Sequence, residues 1–425
     1  MPSLLDTFSQ RGLLHSATAG TAQALQQGPM RAYLGVDPTA ASLHVGHLAT
    51  LMLLRHLQQG GHAPFVVLGG ATALVGDPSF KATERTLLDP EALRAHQQAI
   101  GAQIAALWEA QGAELTVLNN YTWHKDFALL EFLRKVGKHV SVNTLLGKEA
   151  LKRRLTTGIS YLEFTYPLLQ AYDFYHLYQA HGVKLQLGGS DQWGNITAGA
   201  ELIRKKAGGQ AYGLTAPLLT KADGTKFGKS EQGNVWLDDS LTSPYHFYQF
   251  WLNVEDAQAL PLLQRLTLTP DAQLQELAGL HAAAPHQRRL QHELARAMTT
   301  LVHGHTTCTQ VAQASELLFG KAPMEALGEL PQALLLQVLE GVPQLQLSQG
   351  QLDGARSLTD LLTSATQGRI FPSRRAAREV ITAGGLRLNK ARHTDPEAMP
   401  ELHWLHGRYL LVQKGKKGYY LLCRS

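Results

Sequence analysis

Cysteine is nearly missing from this chain. Cys308 and Cys423 are the only two in 425 residues, and they stand far apart with no partner motif around either. Neither a disulfide framework nor a cysteine zinc site is supported, and a reducing compartment is expected. Long apolar runs are missing too. No stretch of about eighteen apolar residues occurs, and the start, "MPSLLDTFSQRGLL", lacks the charged and then apolar blocks of a signal peptide. These features predict a cytoplasmic protein. Internal repeats and low-complexity tracts are absent as well, so the reading falls on ordinary folded domains.

What is present is enough apolar material for two or three cores: 44% of the residues are hydrophobic. Net charge is a modest +5, but basic residues crowd the last fifth of the chain in "GRIFPSRRAAREV", "RLNKAR" and "QKGKKGYY". That clustering suits nucleic acid as a partner, and a solvated basic face equally well. From about residue 30 to 220, short apolar runs ("RAYLGVD", "PFVVLGG", "ELTVLNN", "KLQLGG") alternate with amphipathic segments, which predicts an α/β fold with a parallel sheet covered by helices. After that the pattern turns helical. The expected division is a Rossmann-like catalytic domain over 1–240, an α-helical domain over 241–345, a linker over 346–356 and a small α+β module over 357–425.

Two stretches carry chemistry. In "PTAASLHVGHLAT" (38–50) an apolar run ends at Pro38, and Ser42 is placed to cap a helix whose first turn holds His44 and His47. At the carboxyl edge of a parallel strand, such a helix start favours phosphate. Gly46 between the histidines allows close approach of a flat ligand ring. A metal site would need a third ligand and a different spacing, and no such set stands out. Two histidines with a purely structural role remain the alternative. The second stretch, "TKADGTKFGKSEQG" (220–233), is rich in lysine and glycine and poor in apolar residues, a loop that either stays in solvent or closes over an anion. A third feature is the stripe Tyr166, Gln170 and Asp173 at i, i+4 and i+7 within "LEFTYPLLQAYDFYHLY", which points to a pocket wall on a partly buried helix.

In this order and separation, HVGH and KFGKS resemble the two signatures of class I aminoacyl-tRNA synthetases. The wording between them, "YLGVDPTAASLHVGHLAT", "GGATALVGDPS", "VGKHVSVN", "TGISYLEFTYPLLQAYDF" and "GGSDQWGNITAG", resembles the bacterial tyrosyl-tRNA synthetase family over nearly the whole chain. That resemblance implies activation of L-tyrosine with ATP to tyrosyl-adenylate, then transfer to the terminal adenosine of tRNA(Tyr). It implies Tyr33 and Asp173 on the tyrosine hydroxyl, with Tyr166, Gln170 and Asp77 on its amino group and Gln192 nearby. It implies Thr39, His44, His47, Lys226, Lys229 and Ser230 on the reacting phosphates, with Lys81 and Arg85 of "SFKATERT" as loop cations beside them. For ATP it implies Asp37, Gly46, His47, Thr50, Gly189, Asp191 and Lys229. Mg²⁺ is expected with ATP, without a dedicated metal cage in the protein. From Ser357 onward the chain resembles an S-four-like RNA-binding module, with Arg374, Arg375 and Arg378 offered to tRNA phosphates. A homodimer is expected. Val45 replaces the usual isoleucine of HIGH, and Phe227-Gly228 replace Met-Ser of KMSKS, leaving both lysines. A tryptophan-specific enzyme of the same fold is the close rival, which Tyr33 with Asp173 argues against. A non-catalytic RNA-binding relative is the distant one, which the four intact signature residues argue against.

Overall fold

The computed structural model describes residues 3–79, 89–110, 112–147, 158–220, 224–225, 227–230, 233–319, 330–340, 342–415 and 418–425. Contacts gather them into two compact units, 1–242 with 250–304, and 243–249 with 305–425. The helical stretch expected at 241–345 is thus shared between the two.

The first unit is built on a six-stranded sheet, ordered β1 (Ser16–Ala17), β6 (Tyr212–Ala216), β5 (Val183–Gly189), β2 (Arg31–Val36), β3 (Ala63–Leu68) and β4 (Thr116–Asn119). β2 to β6 run parallel, and only the two-residue β1 is antiparallel to its neighbour. β2 and β3 are apolar on both faces because helices cover both, which is why they read as short continuous hydrophobic runs. Among the parallel strands the order reverses between β2 and β5. In a doubly wound sheet that reversal opens a crevice at the carboxyl ends of the two strands.

Helix Val45–Gln59 follows β2 and buries Leu48, Leu51, Leu53, Leu54 and Leu57. Helix Asp256–Leu266 packs against it with a stripe of Ala259, Leu262, Leu263 and Leu266. Arg11 ties this corner together, donating to the carbonyls of Thr267 and Thr269 and pairing with Asp271 at 2.6 Å. These contacts explain why the helices up to residue 304 belong with the sheet.

The second unit ends in a five-stranded sheet, ordered β11 (Ala391–His393), β10 (Leu386–Leu388), β12 (Tyr409–Lys414), β13 (Gly418–Arg424) and β9 (Gln344–Leu347). A two-residue hairpin, Asn389 and Lys390 at φ 44° and 72°, joins β10 to β11. Leu345, Leu347, Leu361, Phe371, Ile381, Leu410 and Leu422 share its core. The expected linker at 346–356 is folded instead. β9 pairs in parallel with β13, and helix Gln349–Asp353 follows under a Ser348 capping box. Its polar glycine-containing sequence concealed this because alternate residues of "QLQL" face the core and the rest face solvent.

Candidate active site

A cavity of about 340 Å³ opens at the sheet's reversal point, walled by the carboxyl ends of β2 and β5, the start of helix Val45–Gln59 and the stripe of helix Tyr161–His181. Its near end holds the two histidines. The helix cap differs from the expected one: His44, not Ser42, is the N-cap, and its Nδ1 accepts the Gly46 N–H at 3.0 Å. His47 at the third helical position completes a capping box, its Nδ1 accepting the His44 N–H at 3.1 Å. Ser42 instead donates to the Leu43 carbonyl. This geometry fixes the tautomers. A ring nitrogen that accepts a backbone N–H carries no proton, so each neutral imidazole holds its proton on Nε2. Burial, and then the neighbouring His44, push the His47 pKa down to about 3, so at neutral pH it is an uncharged N–H donor. Gly46 has a role within the chain. A Cβ there would lie 2.8 Å from His44 Cε1, so the glycine leaves room for the folded-back ring.

The second signature meets the first. Val45 donates to the Val235 carbonyl, Val235 to that of Gly228, and Leu237 to that of Leu43. Gly228 sits at φ 89°, and a Cβ on it would overlap Val45 Cγ2. Phe227 is buried against Phe250 and Trp251. Lys229 and Ser230 form the two-residue strand β7 opposite Gly233–Asn234. Two stretches about 180 residues apart in sequence are one assembly in the fold. Lys226, Lys81 and Arg85 lie outside the described residues.

Tyr33 and Asp173 lie at the other end of the cavity. Tyr33 is fully buried on β2 beside Phe174, and its hydroxyl has no hydrogen-bond partner among the described residues. Burial, reinforced by Asp173, raises its pKa well above the phenolic range, so it stays a neutral donor and acceptor. The Asp173 carboxylate is held by three N–H groups: Trp123 Nε1 (2.8 Å) and His124 Nε2 (2.7 Å) on Oδ1, and Asn120 Nδ2 (3.0 Å) on Oδ2. Midway, the Tyr166 hydroxyl donates to Asp37 Oδ2 at 2.8 Å, and Thr72 donates to Oδ1 of the same carboxylate. Gln192 bridges, donating to Asp77 at 2.6 Å and accepting from Gln170 Nε2 and Asn195 Nδ2. Oε1 of Gln170 and Oε1 of Gln186 are buried without a partner among the described residues. An orphaned buried polar atom costs on the order of 1–3 kcal/mol. Three of them lining one cavity argue for a polar ligand that completes them.

Residues 25–320 match the family model for tRNA synthetases class I (W and Y), and residues 335–422 match that for the tyrosine–tRNA ligase SYY-like C-terminal domain. The chain is 50% identical to the tyrosine–tRNA ligase of Amoebophilus asiaticus over 414 residues, 97% of each chain. The chain belongs to the tyrosine–tRNA ligases. That of Porphyromonas gingivalis is 48% identical over 99% of both chains. A C-terminally truncated mitochondrial tyrosyl-tRNA synthetase of Aspergillus nidulans superposes with a TM-score of 0.69 at 29% identity, covering 75% of this chain and 95% of that one. Membership in this class of aminoacyl-tRNA ligases brings ATP as a substrate. Among the described residues no helix is long and apolar enough to cross a membrane.

Of the residues expected at this ligase site, Thr39, Thr50, Gly189 and Asp191 also line the cavity, alongside those already placed. The helix after β5 starts at Trp193 without a side-chain cap. In the second unit, helix Arg374–Thr382 presents its three arginines already paired: Arg374 with Asp360, Arg375 with Glu379, and Arg378 with Glu397, at 2.8–2.9 Å. Sequence reasoning missed Thr72, Asn120, Trp123, His124 and Gln186. The signal for three of them was present, because Asn120, Trp123 and His124 in "NNYTWH" share the i, i+3, i+4 spacing of one helical face.

Proposed function

We propose that this tyrosine–tRNA ligase works in two steps within the cavity of its first unit. The carboxylate of L-tyrosine attacks the α-phosphorus of ATP, the bond to the β-phosphate oxygen breaks, and tyrosyl-adenylate and pyrophosphate form. A ribose hydroxyl of the terminal adenosine of tRNA(Tyr) then attacks the acyl carbon and expels AMP. The nucleophile is ionised already, so positioning and charge stabilisation supply the rate.

The observation that carries this reading is the unpartnered Tyr33 hydroxyl facing the Asp173 end of a polar-lined cavity. A substrate phenol accepts from Tyr33 and donates to Asp173 Oδ2, whose second acceptor position is the one its three N–H partners leave. Phenylalanine leaves both groups unsatisfied; its rejection by tyrosyl-tRNA synthetases is a known instance of this rule. The substrate ammonium suits Gln170 Oε1, Asp77 and the Tyr166 hydroxyl, which Asp37 polarises. Nε2–H of His44 and of His47 and the Thr39 hydroxyl serve the phosphates, a role the family resemblance extends to Lys226, Lys229 and Ser230 and, as added positive charge, to Lys81 and Arg85. Asp37, Gly46, Thr50, Gly189 and Asp191 bound the nucleotide, and Mg²⁺ enters with its phosphates.

Arg374, Arg375 and Arg378 exchange their carboxylate partners for tRNA phosphates. A second copy of the chain covers the apolar face of helix Leu129–Lys135, where Leu129 and Leu130 are 71% and 75% exposed. Action on tRNA(Tyr) is compatible with a cytoplasmic protein. The test is ATP–pyrophosphate exchange driven by single amino acids. Tyrosine is expected to support it and tryptophan not; the reverse would overturn the substrate.

A further inference from the structure

Asp173 is the charged wall of the tyrosine pocket, and a buried carboxylate is a dependable acceptor only if its own position and charge are held. One helical turn, Tyr121–His124 with Asn120 at its cap, supplies all three groups that hold it. Asn120 takes Oδ2, while Trp123 and His124 together occupy both acceptor positions of Oδ1. The His124 contact is the shortest of the three, and both side chains are less than a tenth exposed. Because a carboxylate only accepts, the His124 proton lies on Nε2 in this contact. The ring is wedged by packing, edge-on to Tyr172 at 5.5 Å and tilted against Trp123, which itself stacks on His176 at 4.5 Å.

We propose that His124 is a positioning residue for tyrosine specificity. By saturating Oδ1 it turns Oδ2 toward the substrate as the sole remaining acceptor, so its N–H adds to recognition of the phenol hydroxyl without touching the substrate. This rests on the assignment of Asp173 to the phenol hydroxyl. The consequence is selective. Loss of the His124 donor weakens recognition of an amino acid that has the hydroxyl and leaves one without it unaffected. A merely structural role would weaken both.

The experiment measures kcat/KM in ATP–pyrophosphate exchange for L-tyrosine and, at high concentration, L-phenylalanine. It compares the full-length wild type, His124→Phe, which keeps a ring and loses the donor, and His124→Gln, whose amide nitrogen reaches the place of Nε2. His124→Phe is expected to lower the tyrosine value about tenfold or more through KM, with kcat and the phenylalanine value within about twofold. His124→Gln is expected to stay within about threefold of wild type for both. An unchanged tyrosine value in His124→Phe, or equal losses for the two amino acids, overturns the proposal, as does failure of His124→Gln to restore tyrosine. Asp173→Asn, run in parallel, separates the two levels. If it leaves the tyrosine-to-phenylalanine ratio unchanged, the assignment of Asp173 itself is wrong and the role of His124 falls with it. If it collapses the ratio while His124→Phe does not, only His124 is refuted.

Discussion

At the scale of single residues, the site depends on atoms that the fold leaves deliberately unpaired or oddly paired. Tyr33 Oη and Gln170 Oε1 are buried without a hydrogen-bond partner among the described residues, and the two signature histidines accept backbone N–H groups at Nδ1 and so carry their protons on Nε2. Gly228 shows the same economy of space, at φ 89° against Val45. Gly228→Ala adds backbone strain and an overlap at the helix start. It should slow exchange roughly tenfold, equivalent to about 1.4 kcal/mol in the barrier, while calorimetric tyrosine affinity stays within about twofold because the phenol end of the cavity is untouched. An equal loss of affinity would contradict that separation. Tyr33, Asp77, Tyr166, Gln170, Asp173 and Gln192 were legible in the sequence because they sit in distinctive wording. Asn120, Trp123 and His124 were not singled out. Their role is to hold another side chain, and nothing in a linear reading says which carboxylate a buried N–H will find.

At the scale of elements, hydrophobic periodicity located four of the five parallel strands and the long helices, since each buries a face or a stripe, but not the short β6. Ends were harder. The cap of helix Val45–Gln59 fell on His44, a residue type outside the preferred cap set. The same helix carries half-buried His47 at one end and buried His56 at the other, and helix Arg289–His303 ends on half-buried His303. Burial holds their pKa values down to about 3, about 4 and about 4, with the Arg11 charge adding to the effect at His56. In the unfolded chain these groups titrate near 6.5, so as pH falls from about 6.5 toward 4 the unfolded state takes up protons that the folded state refuses. Stability is therefore full above about pH 6.5 and declines below it, by up to about 1.4 kcal/mol per pH unit for each histidine. Urea midpoints should drop between pH 7 and 5, and His56→Gln should flatten the drop. A pH-independent midpoint over that window would refute the assignment.

At the scale of the whole molecule, the described residues form two compact units. The order of strands placed the site, because the crevice at a reversal point follows from topology alone. The boundary between bodies was less legible: helices 256–303 look like a separate domain in sequence yet gather with the sheet unit, and strand β9 (344–347) straddles the expected start of the linker at 346. The division predicts that a chain ending at Phe319 keeps tyrosine-dependent exchange within about threefold and loses charging of tRNA(Tyr) by at least about a hundredfold. Undiminished charging would remove residues 320–425 from tRNA recognition. The central claim, that the pocket selects the phenol hydroxyl, is tested most directly by a crystal structure with L-tyrosine bound. The account predicts the phenol oxygen within about 3 Å of both Tyr33 Oη and Asp173 Oδ2, with the ammonium at Gln170 and Asp77. Tyrosine bound in the opposite sense, its ammonium on Asp173, would contradict it.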